Sequence, residues 1–431
     1  MRRTLRWVFV FVTIVLVVPV TRIGAAPAQS LVISGQSGAV WYEAAKRLTE
    51  PWAKANGIDI QWVDIQQTQM RQKLLLEFTS KTGAIDVSAI DGSWIAEFGT
   101  AGYLVPIDSY LSSEDRADFM QGALSALSFD GKLFGLPYDA YVQVMYYRKD
   151  LFQKAGLRVP TIDSPYTWDE FVAAAKKLQT TDASGRVQIW GTISEGKRHP
   201  AVLARFIDLL YQAGGTLFDR NGQPAFNSQA GVDAMTFHVN LVHDAKVAPP
   251  GTLAFDHTDN HTLFMQGQTA MARNHSYAFA LINDRSVSTV TDLFGVAPPL
   301  KKARSTTSFG AWGWSVATSS KQRDLALRWV RFITSAGQTF TFQRTALTVP
   351  LRKSEVALFE KDPTFTPVMR EAIRVFGSAL DNGVPRPRLP QWPRVQESLM
   401  DAMVAAMAKQ KSPKQALDDA AAQVQKILNE K

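Results

Sequence analysis

Tryptophan and acidic side chains near predicted strand ends are the residues of this sequence best suited to hold a ligand. The chain has 11 tryptophans among 431 residues, which is many for this length. Tryptophan often fills protein cores, but its ring also stacks against the C–H face of a ligand, while carboxylate, amide and guanidinium groups bind hydroxyl groups in directed hydrogen bonds. These residue types predict a site for a polyhydroxylated molecule.

Two groups of candidates lie near the N-terminus. Asp91 follows a predicted strand and stands just before Trp94. Ligands of open α/β sheets bind at such strand ends, although Asp91 also fits the N-cap of the next helix. Gln36, Ser37 and Trp41 lie where the first strand ends and a helix begins. The N–H groups of that turn could bind a hydroxyl group or an anion.

Further candidates lie in the last third of the chain. Trp312 stands beside Gly313 in a glycine-flanked segment, which leaves its ring little local packing. Trp314 has the phase of a core residue in the same predicted strand, so a structural role is favoured for it. Arg344 and Arg352 flank a predicted turn. One of them could reach a ligand, and the alternative for both is the protein surface.

Two polar segments have ligand-like chemistry and a simpler explanation. We expect Asp256, His257, Asp259 and His261 to lie in an irregular, solvated loop, with a metal site as the alternative. Residues 196–199 read Gly-Lys-Arg-His before a predicted helix. They could hold an anion at the helix N-terminus, and a basic loop facing solvent is the alternative.

The sequence does not support catalysis. It has no Walker A, G-x-S-x-G or H-E-x-x-H motif. A glycoside hydrolase would need two carboxylates flanking a bond, and Asp91 with Asp139 is the only pair we can nominate. We therefore expect no catalytic residue, no cofactor and no metal.

Alternating strands and helices must position these residues. A short apolar run at Leu31–Ser34 precedes a helical pattern that ends at Asn56 and Gly57, and alternating residues follow over Ile58–Trp62. A second helix is predicted over Gln69–Ser80, before a strand at Ile85–Ile90. This order predicts βαβ units and a mostly parallel sheet.

Later helices follow from capping and breaking signals. Thr167 and Glu170 have the spacing of a capping box. The segment Val384–Pro393 contains four prolines and predicts an extended connection, and two alanine-rich helices close the chain.

The N-terminus reads as an export signal. Arg2, Arg3 and Arg6 precede an apolar run over Trp7–Val18 that is short for a membrane span, and small residues follow up to Ala28. We expect cleavage after Ala28 and a protein of the periplasm. An uncleaved signal anchor is the alternative.

Cysteine content and charge exclude several classes of protein. The sequence has no cysteine, which excludes disulfides, thiolate metal sites and a lipoprotein anchor. The net charge is +8, and removal of four arginines with the signal leaves 8 − 4 = +4. That mild charge argues against a nucleic-acid partner.

Four segments, taken together, resemble the family 1 extracellular solute-binding proteins, which include the maltose- and trehalose/maltose-binding receptors of ATP-driven importers. The segments are GLPYDAYVQVMYYRKDLFQKAG at 135–156 with TWDEFVAAAKKL from 167, AGGTLFDRNGQPAFNSQAGVDAM at 213–235, LFMQGQTAMARNHSYAF at 263–279 and GAWGWSVATSSKQRDLALRWVRF at 310–332. They occur in the order found in the family.

The resemblance implies an α/β protein with a two-lobed, type II-like periplasmic-binding-protein fold. Each lobe would hold a mixed, mostly parallel sheet flanked by helices, with the ligand cleft between the lobes. The implied N-lobe is 29–137 plus 297–360, and the implied C-lobe is 138–296 plus 361–431, after a signal peptide at 1–28.

The resemblance also implies cleft residues. Tyr138 and Asp139 follow a proline where family members carry cleft residues, with a turn as the alternative. Tyr277, next to the candidate His275, stands where the family often has a stacking tryptophan, which puts a maltose-like pocket in doubt. Trp392 aligns with an aromatic region of the family's cleft.

These observations predict a monomeric binding protein of an ATP-binding-cassette importer. It would capture a sugar or sugar derivative and deliver it to the membrane permease. The alternatives are the same fold with a non-sugar solute and a secreted glycoside hydrolase.

Overall fold

The computed structural model describes residues 29–430. The predicted signal peptide, with its cleavage position after Ala28, lies outside the described residues. No helix within 29–430 is long and apolar enough to cross a membrane.

Most strands of the described chain are short. Their bounds are β1 Gln29–Gln36, β2 Ile58–Ile65, β3 Val87–Asp91, β4 Ser128–Phe129, β5 Lys132–Leu133, β6 Leu136–Tyr141, β7 Gln143–Arg148, β8 Thr180–Thr181, β9 Val187–Ile189, β10 Met271–His275, β11 Phe294–Ala297, β12 Ser308–Val316 and β13 Val384–Pro385.

The helices lie between these strands and at the C-terminus. Their bounds are α1 Val40–Asn56, α2 Gln67–Ser80, α3 Ile95–Thr100, α4 Ser113–Asp118, α5 Gln121–Ala126, α6 Lys149–Lys154, α7 Trp168–Leu178, α8 Pro200–Gln212, α9 Gln229–His243, α10 His257–Met265, α11 Ala278–Ile282, α12 Arg323–Ile333, α13 Ala336–Ala346, α14 Lys353–Lys361, α15 Pro367–Asp381, α16 Trp392–Met407 and α17 Pro413–Asn429. Thr167 and Glu170 form the predicted capping box at the start of α7.

The first sheet has the strand order β13-β12-β3-β1-β2. Strand β6 also pairs with β12, along residues 310–314, which follow the two residues that pair with β13. Strand β1 is parallel to both β2 and β3. Each of these pairs is joined through a helix, because a parallel connection needs a crossover. Leu31 and Ile33 of β1 are fully buried. The predicted βαβ start of the chain is therefore confirmed.

The second sheet has the order β10-β7-β11, and both pairs are antiparallel. The prediction of a mostly parallel sheet in this lobe is wrong. Strand β7 continues directly from β6, so its direction is set by the segment that enters from the first sheet. Strands β10 and β11 come much later in the chain and run against β7. The alternation of strands and helices along the sequence does not determine whether β10 and β11 run parallel or antiparallel to β7.

Two of the three large cores belong to one lobe each, as expected for a chain of this length, and the third contains strand residues of both sheets. One core packs around the first sheet and contains the fully buried Trp314 and Trp329. The other packs α7, α8, α9, α16 and α17 together and contains the fully buried Phe171 and Phe206. The protein is thus an α/β protein with two lobes.

Three segments connect the lobes. The chain changes sheets between Tyr141 of β6 and Gln143 of β7, and again between β11 and β12. The third connection is the extended, proline-rich segment that contains β13. Here Arg388 donates hydrogen bonds to the backbone carbonyls of Ser125 and Ser128, which lie in and just after α5. The lobe bounds implied by the resemblance remain a prediction, although β6 extends the first sheet to Tyr141.

Candidate functional site

Three predicted residues form one row across the first sheet. Trp312 of β12 pairs with Asp91 of β3 on one side and with Asp139 of β6 on the other. Directly opposite residues of antiparallel strands point to the same face of a sheet. The structure thus brings together an aromatic ring and two carboxylates that are far apart in the sequence.

A group of tryptophans surrounds this row. The rings of Trp41 and Trp312 are stacked with centroids 5.4 Å apart, and Trp94 meets Trp312 edge-on at 5.4 Å. Trp41 and Trp312 are only 7% and 5% exposed, whereas Trp94 is half-buried. Trp94 therefore offers more ring surface to a ligand, and Trp312 holds it in place from one side. Trp314 is fully buried against Trp329, as favoured from its strand phase.

Asp91 combines the two roles considered for it. One carboxylate oxygen accepts a hydrogen bond of 2.8 Å from the backbone N–H of Ser93, which caps the short 3-10 helix Gly92–Trp94. The other oxygen accepts a 3.4 Å hydrogen bond from the hydroxyl group of Tyr141. The cap fixes the carboxylate in place while leaving its second oxygen able to accept from a ligand.

Asp139 has a carboxylate without a partner. Its Oδ1 is buried and has no hydrogen-bond partner among the described residues. Burial raises the pKa of the Asp139 carboxyl group to about 7. A buried polar atom of this kind normally has a partner. A ligand hydroxyl group would supply that partner.

Tyr141 is a site residue that the sequence analysis missed. Its ring lies 5.8 Å from the ring of His275 and 4.8 Å from the guanidinium group of Arg386. Arg386 follows β13 in the proline-rich connection. Tyr141 therefore contacts a group from the first lobe, one from the second lobe and one from this connection. Tyr141 lies two residues after Asp139, and the alternation of a strand could have identified it.

Tyr138 does not join this group. It is 1% exposed and stacks on Phe342 at 4.8 Å, within the first core. Successive residues of a strand point to opposite faces, so Asp139 and Tyr138 cannot both face the junction. The expectation of a cleft role for Tyr138 is therefore corrected.

The second lobe contributes a wall of imidazole and phenol rings. His275 stacks on Tyr277 with centroids 6.1 Å apart, and Tyr277 lies 5.7 Å from His261. His257 lies 6.1 Å from Tyr277 and stacks on His199 at 4.9 Å. Burial, together with the positive charges of Arg205 and Arg386, holds the pKa of His275 well below its usual value. The imidazole ring of His275 is therefore uncharged at neutral pH.

The expected loop around His257 is a helix. Asp256 caps α10 and forms a capping box with Asp259, and this places His257 and His261 one turn apart. The expectation of an irregular loop is wrong, because Asp256 and Asp259 are spaced to cap the first turn of a helix. Within 29–430, no three or more histidine, aspartate or glutamate side chains are arranged to hold a metal ion.

A buried polar network connects to this wall through the backbone of His275. Arg205 of α8 makes two hydrogen bonds to Glu195, at 2.8 and 3.0 Å, and one of 3.0 Å to Asn274. Asn274 also accepts from the backbone N–H of His275 at 2.8 Å. Asn260 donates to Glu195 at 2.5 Å. The network fixes the backbone at His275, and no local sequence signal marks it.

The remaining candidates lie elsewhere. Arg344 on the exposed side of α13 forms an ion pair with Asp362 at 2.7 Å. Trp392 is 3% exposed in the second core, because α16 begins there and packs on α8. Arg352 is buried over the ring of Phe119. None of the three meets the residues at the junction.

Gln36, Ser37 and Gly313 have backbone roles. Ser37 donates its N–H to Ile65, and Gln36 accepts from the N–H of Ala39. A Cβ at Gly313 would lie 2.1 Å from Leu127, so close packing requires glycine there.

The candidate anion site at 196–199 has paired side chains, since Lys197 binds Asp256 and Arg198 binds Glu397 and Asp401.

His238 provides a test of the buried network. It is fully buried, its Nε2 donates to the carbonyl of Glu195 at 2.8 Å, and burial lowers its pKa to about 3. An unfolded histidine titrates near pH 6.5, so between about pH 6 and pH 4 only the unfolded chain binds this proton. Stability therefore falls as the pH falls through this window.

We expect His238→Gln, which keeps a donor, to make the free energy of unfolding less sensitive to acid by about 1.4 kcal/mol per pH unit. Urea unfolding of both proteins at pH 6.0, 5.5 and 5.0 measures the difference. The comparison cancels the opposite contributions of carboxyl groups such as Asp208, whose pKa burial raises to about 6. Parallel pH profiles of the two proteins would show that His238 titrates normally when folded.

The fold and the site together define the class of protein. Two α/β lobes joined by three segments, with carboxylates of the first lobe and aromatic rings of both lobes at the junction, form a two-lobed receptor for a small solute. The family model of bacterial extracellular solute-binding proteins matches residues 33–340. The chain belongs to this family.

Relatives of known name agree with the family. The chain is 29% identical over 281 residues to a mannitol-binding protein of Pseudomonas aeruginosa, a match that covers 64% of this chain and 62% of that protein. The maltose-bound MalE3 of T. maritima has a TM-score of 0.79 at 25% identity, covering 92% of this chain and 99% of that one. A ribitol-bound solute-binding protein of an ABC transporter from Agrobacterium radiobacter K84 has a TM-score of 0.75 at 27% identity, covering 93% and 98%.

Proposed function

We propose that this protein is the exported binding component of an ABC importer and captures a sugar or sugar alcohol between its lobes. The observation that carries the proposal is the row of Asp91, Trp312 and Asp139 on the first sheet. It faces a junction that also contains Tyr141 and His275. Carboxylates accept from ligand hydroxyl groups, and the aromatic rings cover C–H surfaces.

The ligand class follows from the balance of groups at the junction and from the relatives. Acceptors dominate the first-lobe side, and the nearby Arg386 is a donor suited to adjacent hydroxyl oxygens. Relatives named for mannitol, maltose and ribitol support a hydroxyl-rich ligand. Tyr277 stands where the family often has a stacking tryptophan, and this difference favours a ligand other than maltose.

Capture and delivery use the two-lobed design. The lobes close on the ligand by a hinge motion at the three connections, and the ligand stabilises the closed form through its extra contacts. The closed, loaded protein then docks on the permease of the importer. It acts as a monomer without nucleic acid, in the periplasm, after cleavage of the signal peptide following Ala28 and without a lipid anchor.

The protein binds its ligand without cleaving it. The relatives are binding proteins of transporters. Asp91 and Asp139 also lie on the same face of one sheet, on either side of β12. A glycoside hydrolase instead places its two carboxylates on opposite sides of the bond.

Calorimetry tests the proposal. Mature protein beginning at Gln29 would be titrated with ribitol, mannitol, maltose and gluconate, with tryptophan fluorescence as a second readout because Trp94 lies at the site. We expect saturable binding of at least one of these ligands, and chromatography should recover it intact. Cleavage of maltose, or no saturable binding of any of the four, would contradict the proposal.

A further inference from the structure

The first lobe contains a cavity that is separate from the junction. It has a volume of about 340 Å³ and lies between α4, α12 and the start of α13. Its polar lining comes from Arg328, Arg331, Arg352, Asp115, Thr334 and Ser335. None of these residues contributes to the row at the junction, so the proposed solute capture does not explain this cavity.

Arg352 forms a rigid positive wall of the cavity. Its side chain is 2% exposed and bonds to Asp115 at 3.1 Å, to Asp118 at 3.2 Å and to the carbonyl of Thr334 at 2.7 Å. The guanidinium group also lies 3.8 Å from the ring centroid of Phe119. Its Nε is buried without a partner among the described residues. These contacts fix the group in place before any ligand arrives.

Arg328 and Arg331 add two exposed cations. They lie three residues apart on α12 and therefore share one face of the helix. Arg328 donates one hydrogen bond of 3.4 Å to the side-chain oxygen of Gln29. Among residues 29–430, neither arginine lies within ion-pair distance of a carboxylate. The residues that line the cavity include three guanidinium groups and one carboxylate, that of Asp115, so the lining itself carries more positive than negative charge. Guanidinium groups bind oxyanions through paired hydrogen bonds.

The start of α13 supplies further donors. Ser335 is its N-cap residue, but the Ser335 side chain does not cap the helix and instead donates to the carbonyl of Phe332 at 2.8 Å. The first backbone N–H groups of a helix have no partner within it and attract anions. At Gly337, in the first turn, an added Cβ would meet nothing within 4 Å. No neighbouring side chain therefore covers the helix at Gly337.

We propose that this cavity binds a phosphate-type oxyanion, held between the guanidinium groups of Arg328 and Arg331 and the start of α13, with Arg352 as its fixed wall. The oxyanion is either a free phosphate or the headgroup of an anionic phospholipid, which share this chemistry. The site is independent of the solute cleft.

The test uses inorganic phosphate as the probe. We expect mature protein to bind phosphate saturably in calorimetry in a non-coordinating buffer. The variant Arg328→Gln/Arg331→Gln should bind at least 10-fold more weakly. The control Arg220→Gln/Arg285→Gln removes the same charge from exposed positions on the second lobe and should change the affinity less than 2-fold. Retained solute binding would show that both variants are folded.

Vesicle flotation distinguishes the two sources of the anion. Partition onto phosphatidylglycerol vesicles that phosphate competes away, and that phosphatidylcholine vesicles do not support, would assign a lipid headgroup. Phosphate binding without partition would assign a free anion. No saturable binding of either probe, or an equal loss in the two double variants, would overturn the proposal while leaving the solute site untouched.

Discussion

Replacing Glu195 with alanine is expected to lower the free energy of unfolding by about 3 to 5 kcal/mol. Glu195 and Arg205 are both 1% exposed, and their side chains form a two-bond ion pair in the second lobe. Removal of the carboxylate would leave the buried guanidinium group of Arg205 without its ion-pair partner. It would also remove one of the two acceptors of the Asn260 amide, the other being the carbonyl of Arg273. The loss should therefore exceed that of any exposed ion pair.

Urea unfolding measures this effect, and two variants calibrate it. Glu360→Ala breaks the exposed pair with Arg374 and should cost at most about 1 kcal/mol. Glu195→Gln keeps the shape and the acceptor for Asn260, so its loss should fall between the two alanine variants. If Glu195→Ala were no more destabilising than Glu360→Ala, the pair would not be buried as described.

Replacing Asp91 with asparagine is expected to weaken solute binding by about 10- to 150-fold, because a hydrogen bond to a charged group contributes about 1.5 to 3 kcal/mol. Asparagine keeps an oxygen that can accept from the N–H of Ser93, so the cap of the 3-10 helix survives. The variant removes only the negative charge that faces Tyr141. Its free energy of unfolding should stay within about 1 kcal/mol of the wild type.

A matched substitution separates the charge at the site from the charge of the protein. Asp182 accepts from the N–H of Ser184 in the same two-residue arrangement, but on an exposed loop of the second lobe. Asp182→Asn should leave solute affinity unchanged when both proteins are compared by calorimetry. Equal affinities of Asp91→Asn and the wild type would remove Asp91 from the binding site.

These two predictions concern one residue that contacts the ligand and one that supports the site from within the second lobe. Asp91 meets the ligand directly, whereas Glu195 acts through Arg205 and Asn274 on the backbone of His275. Glu195→Ala should also reduce affinity, but only together with a loss of stability. Asp91→Asn should reduce affinity alone.

The sequence determined features that depend on neighbouring residues. Apolar periodicity located β1, α1, β2, α2 and β3. The spacing of Thr167 and Glu170 located the start of α7. Strand-end position and a glycine-flanked segment selected Asp91 and Trp312, and the resemblance added Asp139. These signals act over a few residues, so they are readable before the chain folds.

Tertiary structure decided the features that join distant parts of the chain. Tyr141 lies 50 residues from Asp91, and Arg205 lies 69 residues from Asn274. The direction of β10 and β11 against β7 and the placement of Trp392 in a core also follow from long-range packing. Periodicity gives the phase of an element but not its neighbour. The neighbour is selected by burial and polar pairing in the whole fold, so only the structure shows which polar groups meet between the lobes.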